Sequence, residues 1–259
     1  MNKTLNIFSA GVAKKVVSAT IEKWNALHPE LPAALTVGGS VDLIRRSLSG
    51  DPCDLLILAD DKIIDSMMMP EKAVGYIIWA GNRMVIAANP GYDISSENWK
   101  EKILAPDATF DHHDPYADPG GYRSIMSMLL ADKVEPGLSD KLLSHPGHFG
   151  MPEDPSDMHE IKYCFDYYTR ALDRNAPIAK LPAIMDLSRD ELAGIYAEVG
   201  FDLDTETRIP ATPINHALTI PSAAEHHNSA KEFAKLFMDI DFPSYGFIPR
   251  HAVIGQNIL

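Results

Sequence analysis

Apolar residues in the first sixty positions switch repeatedly between two periods. Leu5 to Ser9 is a short apolar run that reads as a buried strand and ends at Ser9-Ala10-Gly11. Val12 to Leu27 sets Val16, Val17, Thr20, Ile21 and Trp24 on one face at helical spacing. Ala34 to Val37 is a second strand closed by Gly38-Gly39-Ser40, Val41 to Leu48 a second helix, and Cys53 to Ala59 a third strand stopped by Asp60-Asp61. Strand and helix alternating in this way restrict the chain to an α/β fold with a mostly parallel sheet. Ligands of such sheets bind beyond the carboxyl ends of the strands. Two of those ends, Ser9-Ala10-Gly11 and Gly38-Gly39-Ser40, are small and hydroxyl-bearing, so a ligand can approach the backbone there.

The pattern continues less regularly. Met67-Met68-Met69 reads as core filler. Tyr76 to Ala80 and Met84 to Ala88 are strand-like around Gly81-Asn82-Arg83, and Glu97 to Leu104 fits a short helix. Gly137 to Pro155 reads as a surface loop with a helical turn at Leu138 to Leu143. Ile161 to Tyr168 is a strand, Leu181 to Leu187 is extended, and His216 to Ile220 is a late strand. Ala230 to Met238 is the last clear helix, with Ala230, Phe233, Ala234 and Phe237 on one face. No linker of low complexity separates two halves, which predicts two lobes that the chain joins by more than one crossing.

One stretch between these elements carries chemistry. In Asp114 to Met126, Asp118 is a good N-cap, Pro119 suits the first helical position, and Tyr122, Ile125, Met126 and Leu129 give the helix an inward face. Gly120 and Gly121 place backbone N–H groups at the helix mouth, where partial positive charge favours an anion. Arg123 is expected to brace the Asp118 loop through a salt bridge. The Asp118 carboxylate would repel an anion unless it caps the helix from behind or binds an electrophilic centre within the ligand. Asp166 either faces solvent or reaches the ligand, and Tyr167 either donates its hydroxyl or packs.

Charge narrows the partners. The 259 residues carry a net charge of −13, which argues against nucleic acid and leaves local dipoles to capture any anion. Cys53 and Cys164 form no metal-ligand pattern, and their pairing is open. His112-His113 with Asp111 and Asp114 could share one divalent ion only from an irregular loop, since neighbouring strand residues point to opposite faces. His226-His227 reads as a solvated helix start. No run reaches membrane-spanning length. Met1-Asn2-Lys3-Thr4 leads directly into a strand, so the chain reads as cytoplasmic or as a mature form without its leader. No nucleophile–base motif, phosphate-binding loop or zinc-binding helix is present, which argues against an enzyme. The lack of a basic segment argues against a regulator's effector domain.

The order Trp79 to Ala87, then Asn98-Trp99, then Asp114 to Ser124 resembles the tungstate/molybdate-binding proteins of ABC importers, above all their archaeal-type branch. Ile7 to Gly11, Gly39-Ser40-Val41, Cys53 to Asp60, Phe165 to Ala171 and Pro213 to Phe237 are similar to further segments of that family, so the resemblance spans nearly the whole chain. It implies a two-lobed periplasmic-binding-protein fold of type II with a ligand cleft between lobes. Lobe one is expected over residues 1–82 plus 214–259, and lobe two over 83–213. The implied ligand is tungstate or molybdate, bound by Ser9, Gly11, Ser40, Asp118, Gly121, Tyr122, Asp166 and Tyr167. Asp118 and Asp166 match the two carboxylates that approach the metal centre of the oxyanion, which then becomes six-coordinate. The resemblance implies no cofactor, a membrane permease as partner, a monomer, and a periplasmic or extracellular location, with membrane anchoring of the full precursor left open. Three departures stand out: Val12 replaces a ligand-binding Ser, Gly120 a Cys, and Asp166 a Glu. They leave open a binding protein of the same fold for another small anion or small molecule.

Overall fold

The computed structural model describes residues 4–150 and 160–259. The chain divides into two compact units, Met1–Gly81 with Asn215–Leu259, and Asn82–Ile214. The first pass through unit one runs β1 (Leu5–Ala10), a 3-10 turn at Gly11–Ala13, α1 (Lys14–Leu27), β2 (Ala33–Gly38), α2 (Ser40–Leu48), β3 (Leu55–Leu58), α3 (Lys62–Met67) and β4 (Gly75–Gly81). The helix expected from Val12 therefore opens as a tighter turn, with no side chain capping either segment. Every residue of β3 and β4 is buried, as in strands covered on both faces.

In unit two, β5 (Met84–Ala88) leads to α4 (Trp99–Ile103), β6 (Phe110–Asp111), α5 (Pro119–Leu129), α6 (Leu138–Leu143), β7 (His148–Phe149), β8 (Tyr163–Tyr167), α7 (Tyr168–Asp173), β9 (Ile178–Lys180), α8 (Ala193–Tyr196), and the pair β10 (Gly200–Asp202) and β11 (Arg208–Pro210). The main sheet has the order β7-β6-β8-β5-β9, and β10 and β11 form an antiparallel pair. The segment Leu181 to Leu187 is not extended. The chain turns at Pro182, whose carbonyl accepts from the N–H groups of Met185 at 2.8 Å and Asp186 at 3.0 Å. Residues 151–155 of the expected surface loop lie outside the described residues.

Helix α5 is the centre of this unit. Tyr122 and Met126 are buried as its spacing predicts, but Arg123, Ser124, Ser127 and Met128 are buried as well. Ser124 and Arg123 tolerate that position because they are bonded, whereas Ser127 Oγ is buried without a hydrogen-bond partner among the described residues. Ser124 Oγ donates to Gly120 O at 2.6 Å and reaches Phe165 O at 3.2 Å, which ties α5 to β8. Arg123 donates to the carbonyl and hydroxyl of Thr212, at 2.9 and 3.1 Å.

The chain then returns to unit one as β12 (Asn215–Thr219), α9 (His227–Met238) and β13 (Ile248–Gly255). The six-stranded sheet reads β13-β4-β12-β3-β1-β2. Only β2-β1-β3 is parallel; β12 enters between β3 and β4 in the opposite direction, so the expected mostly parallel sheet is mixed. α1 and α9 pack together, with Trp24 and Phe233 ring centres 5.7 Å apart. Trp79 stands within 4.7–5.1 Å of Phe237, Phe242 and Phe247. Cys53 and Cys164 are buried and unbonded to each other.

Candidate functional site

Unit one brings its two small strand ends together. β1 and β2 run parallel with Ala10 opposite Gly38, so Ser9-Ala10-Gly11 and Gly38-Gly39-Ser40 share the carboxyl edge of the sheet. Helix α2 starts at Ser40 behind Gly39, and no side chain caps it. Its first backbone N–H groups keep their donor capacity at the positive end of the helix dipole. Ser40 is buried and its Oγ accepts from Ala59 N at 3.0 Å, which leaves the hydroxyl proton available to donate. Ser9, also buried, has its Oγ 3.1 Å from Ala10 O. Around Gly11 the space is open: a Cβ there would meet no heavy atom within 4 Å. Val12 is buried and offers no hydroxyl.

In unit two the helix mouth is built differently. Asp118 caps α5, accepting from Gly120 N at 2.7 Å through Oδ1. Its backbone carbonyl takes the Gly121 N–H at 2.9 Å. The two N–H groups expected to receive an anion are thus engaged by Asp118 itself. Gly121 is required by close approach, since a Cβ would lie 2.2 Å from His113 O and 2.6 Å from Pro115 N. Tyr122 is buried and stacks on Phe201 with ring centres 6.0 Å apart, so it serves packing.

The loop held by Gly121 carries His113 to the same place as Asp118, Asp166 and Tyr167. A Cβ on Gly120 would stand 3.0 Å from Asp118 Oδ1, 3.3 Å from the His113 ring and 3.6 Å from that of Tyr167. Asp166, on β8, does not face solvent; its accessible surface is 0%. Its Oδ1 accepts from Tyr167 N at 2.8 Å and lies 3.5 Å from Arg170 Nε and 3.7 Å from His113 Nε2. Its Oδ2 pairs with Arg174 Nη2 at 3.0 Å. The 3.7 Å separation is longer than a hydrogen bond, and among the described residues His113 Nε2 is buried with no partner within hydrogen-bond distance.

These surroundings move the two carboxyl groups apart. For Asp166, burial is the largest influence and pushes the pKa up, but His113, Arg170 and Arg174 together hold it below the ordinary carboxylate range. For Asp118, burial raises the pKa, with the Asp166 charge adding to the rise and His113, the Gly120 N–H and Arg170 opposing it.

The adjacent histidines part company, as neighbours on an extended segment do. His112 is buried with its ring centre 5.2 Å from that of His148, while His113 turns to Asp166. Among the described residues no group of three or more His, Cys, Asp or Glu side chains could hold a metal ion. His113, Arg170 and Arg174 were not singled out as ligand-facing from the sequence. The four-residue step from Arg170 to Arg174 puts both guanidinium groups on one face of α7, but that this face meets Asp166 on β8 depends on how the helix leaves the strand.

The arrangement of sheets matches known binding proteins. A solved structure, the periplasmic molybdate-binding protein of Azotobacter vinelandii, superposes with a TM-score of 0.66 at 13% identity, covering 95% of this chain and 99% of that one. A solute-binding protein of Petrotoga mobilis is 32% identical over 249 residues, which are 88% of this chain and 77% of the relative. The molybdate/tungstate-binding protein WtpA of Pyrococcus abyssi is 27% identical over 275 residues, 90% of this chain and 80% of that protein. The family model for bacterial extracellular solute-binding proteins matches residues 5–238. The chain belongs to the bacterial extracellular solute-binding protein family.

Proposed function

We propose that this protein is the solute-binding component of an ABC importer and that its solute is molybdate or tungstate. Family membership and the name of the Pyrococcus relative support the reading. The observation that carries it is the type of donor each unit offers. Unit one has an uncapped helix start with the Ser40 hydroxyl beside it. Unit two has His113, Arg170 and Arg174 gathered around the Asp166 carboxylate. Both suit a compact anion that accepts hydrogen bonds on every side. In this reading Ser9, Gly11 and Ser40 face the ligand in unit one; in unit two His113 and Arg170 face it, Asp118, Asp166 and Tyr167 hold them in place, Gly121 admits the His113 loop and Tyr122 packs beneath. A membrane permease receives the solute, and the protein works outside the cytoplasmic membrane as a monomer.

Val12 favours a second reading, a binding protein of the same fold for another small anion, because a buried valine supplies no hydroxyl where the resembled family has one. A thermal-shift screen separates the two. A ligand that binds only the folded state stabilises it by about 2.7 kcal/mol at a hundred times its dissociation constant. Molybdate and tungstate should raise the midpoint most among tungstate, molybdate, sulfate, phosphate and small carboxylates. A larger shift from a carboxylate or phosphate would favour the second reading.

A further inference from the structure

Three histidines meet at the β7 edge of the main sheet in unit two. β6 and β7 pair in parallel with Phe110 opposite His148, and the two rings stack with centres 5.1 Å apart. His145 reaches the same Phe110 ring at 5.5 Å. His112 follows Phe110 by two residues, which turns it to the same face of the sheet. Its ring centre stands 5.2 Å from that of His148.

Hydrogen bonds fix which ring nitrogens hold protons. His112 Nδ1 lies 2.7 Å from His113 O, and His148 Nδ1 lies 3.2 Å from Leu143 O. A carbonyl oxygen only accepts, so each Nδ1 carries a proton and donates it. In the neutral ring Nε2 is then a bare lone pair. His148 Nε2 is buried and, among the described residues, has no hydrogen-bond partner. A buried acceptor in that state costs stability unless something completes it. His145 is set the other way. Its Nδ1 accepts from Gly147 N at 3.0 Å, so that lone pair is spent and the proton of the neutral ring sits on Nε2.

An imidazole that donates one nitrogen's proton to a backbone carbonyl is oriented to offer the other nitrogen to a metal ion. The spacing agrees. Two imidazoles bound to one tetrahedral ion, with bonds of about 2.0–2.1 Å, put their ring centres roughly 5 Å apart. The two rings are inclined at 55°, so they do not lie face to face as His148 and Phe110 do at 13°.

We propose that His112 Nε2 and His148 Nε2 form a two-histidine site for a divalent transition ion of the copper, nickel or zinc class, with water completing the shell. Imidazole suits these ions, and Cu2+ is the one held most tightly by a given set of nitrogens. The site clasps β7, an edge strand of two residues, to the segment that follows β6. It is independent of the oxyanion reading.

The test uses the full chain, without an affinity tag and without oxyanion. Long-range proton–nitrogen spectra of the parent should show His112 and His148 in the Nδ1–H form, and Zn2+ should shift the Nε2 signals of those two rings. Nε2–H forms at both positions, or Zn2+ shifts confined to other histidines, would overturn the proposal. Cu2+ titration followed by electron paramagnetic resonance should show one tight site with two equatorial nitrogens. His112→Gln and His148→Gln should each weaken that site tenfold or more, while His145→Gln changes it less than threefold. Equal losses from all three variants, or no loss from either of the first two, would contradict the assignment. If a variant fails to fold, the zinc-dependent spectrum of the parent still decides.

Discussion

The starts of α2 and α5 look alike in sequence and are used in opposite ways. Each follows a pair of glycines or contains one, Gly38-Gly39 before Ser40 and Gly120-Gly121 after Pro119. At α2 the cap position is Gly39 and no side chain accepts from the first turn. At α5 the cap position is Asp118, and its carboxylate and carbonyl take the Gly120 and Gly121 N–H groups. The lesson is that glycines at a helix mouth do not make an anion site by themselves. What the preceding residue does with the freed N–H groups decides. Where a carboxylate closes the mouth, attraction for an anion has to come from other groups than those N–H donors.

The largest expected effect strikes the glycine that the second mouth cannot spare. In Gly121→Ala the new Cβ would face backbone atoms of His113 and Pro115 at 2.2 and 2.6 Å, which cannot swing aside. Overpacking of this kind should destabilise unit two by about 3 kcal/mol, visible as a lower urea midpoint. Gly11→Ala, with nothing within 4 Å, is the matched control in unit one and should leave the midpoint nearly unchanged. Equal midpoints for both variants would show that the His113 loop is not seated on α5.

A second substitution turns one mouth into the other. Gly39 has φ −66° and ψ 140°, which any residue adopts, so Gly39→Asp places a capping carboxylate on α2 without strain. Stability should rise by a few tenths of a kcal/mol. Oxyanion affinity should fall by about tenfold or more, or ~1.4 kcal/mol, because the cap takes the donors and adds negative charge. Calorimetric titration with molybdate reads this directly, and unchanged affinity would remove the α2 start from the site.

At α5 the comparison predicts a smaller change in stability. Asp118→Ala loses the cap and should cost about 1 kcal/mol, while Asp118→Asn keeps an acceptor and should cost a few tenths. An equal loss in both would mean that the charge, rather than the cap, stabilises this end.

The two mouths also explain what was legible in the chain. The alternation up to Ala59 announces an α/β unit because β1, α1, α2 and β3 each bury an apolar face, while β2, at the sheet edge, is buried only at Ala33. The Asp118-Pro119 cap is legible because both residues act on their own turn. The direction of β12 was not legible, since a strand's partners are set by where the chain returns and not by its own pattern. β13 escaped notice because Pro249 interrupts it; the register shifts between Pro249 and Ala252, as expected for an edge strand with a missing N–H. The burial of Asp166 was hidden for a similar reason. Strand alternation predicts which face a residue takes, but not that α7 then lays Arg170 and Arg174 across it.

The smallest predicted effect is a pair of opposed pH slopes. Asp166 titrates below the ordinary value of about 3.9, so its stabilising contribution is present above that value and is lost as pH falls through the lower folded pKa. Asp118 titrates above it, so its contribution is present below about pH 4 and is lost as pH rises through the higher folded pKa. Urea unfolding measured across the acid range should therefore show Asp166→Asn flattening the fall in stability toward low pH. Asp118→Asn should flatten the fall on the other side of the carboxylate range. The same change in slope from both variants would contradict the separation of the two carboxyl groups.

The central claim, that the chain captures a compact tetrahedral oxyanion, is tested most directly by isothermal titration of the parent protein with molybdate and tungstate. The account predicts saturable binding of one anion per chain at micromolar concentrations or below, equivalent to about −8 kcal/mol or better. No saturable heat with either anion, at protein concentrations that would detect millimolar binding, would contradict it.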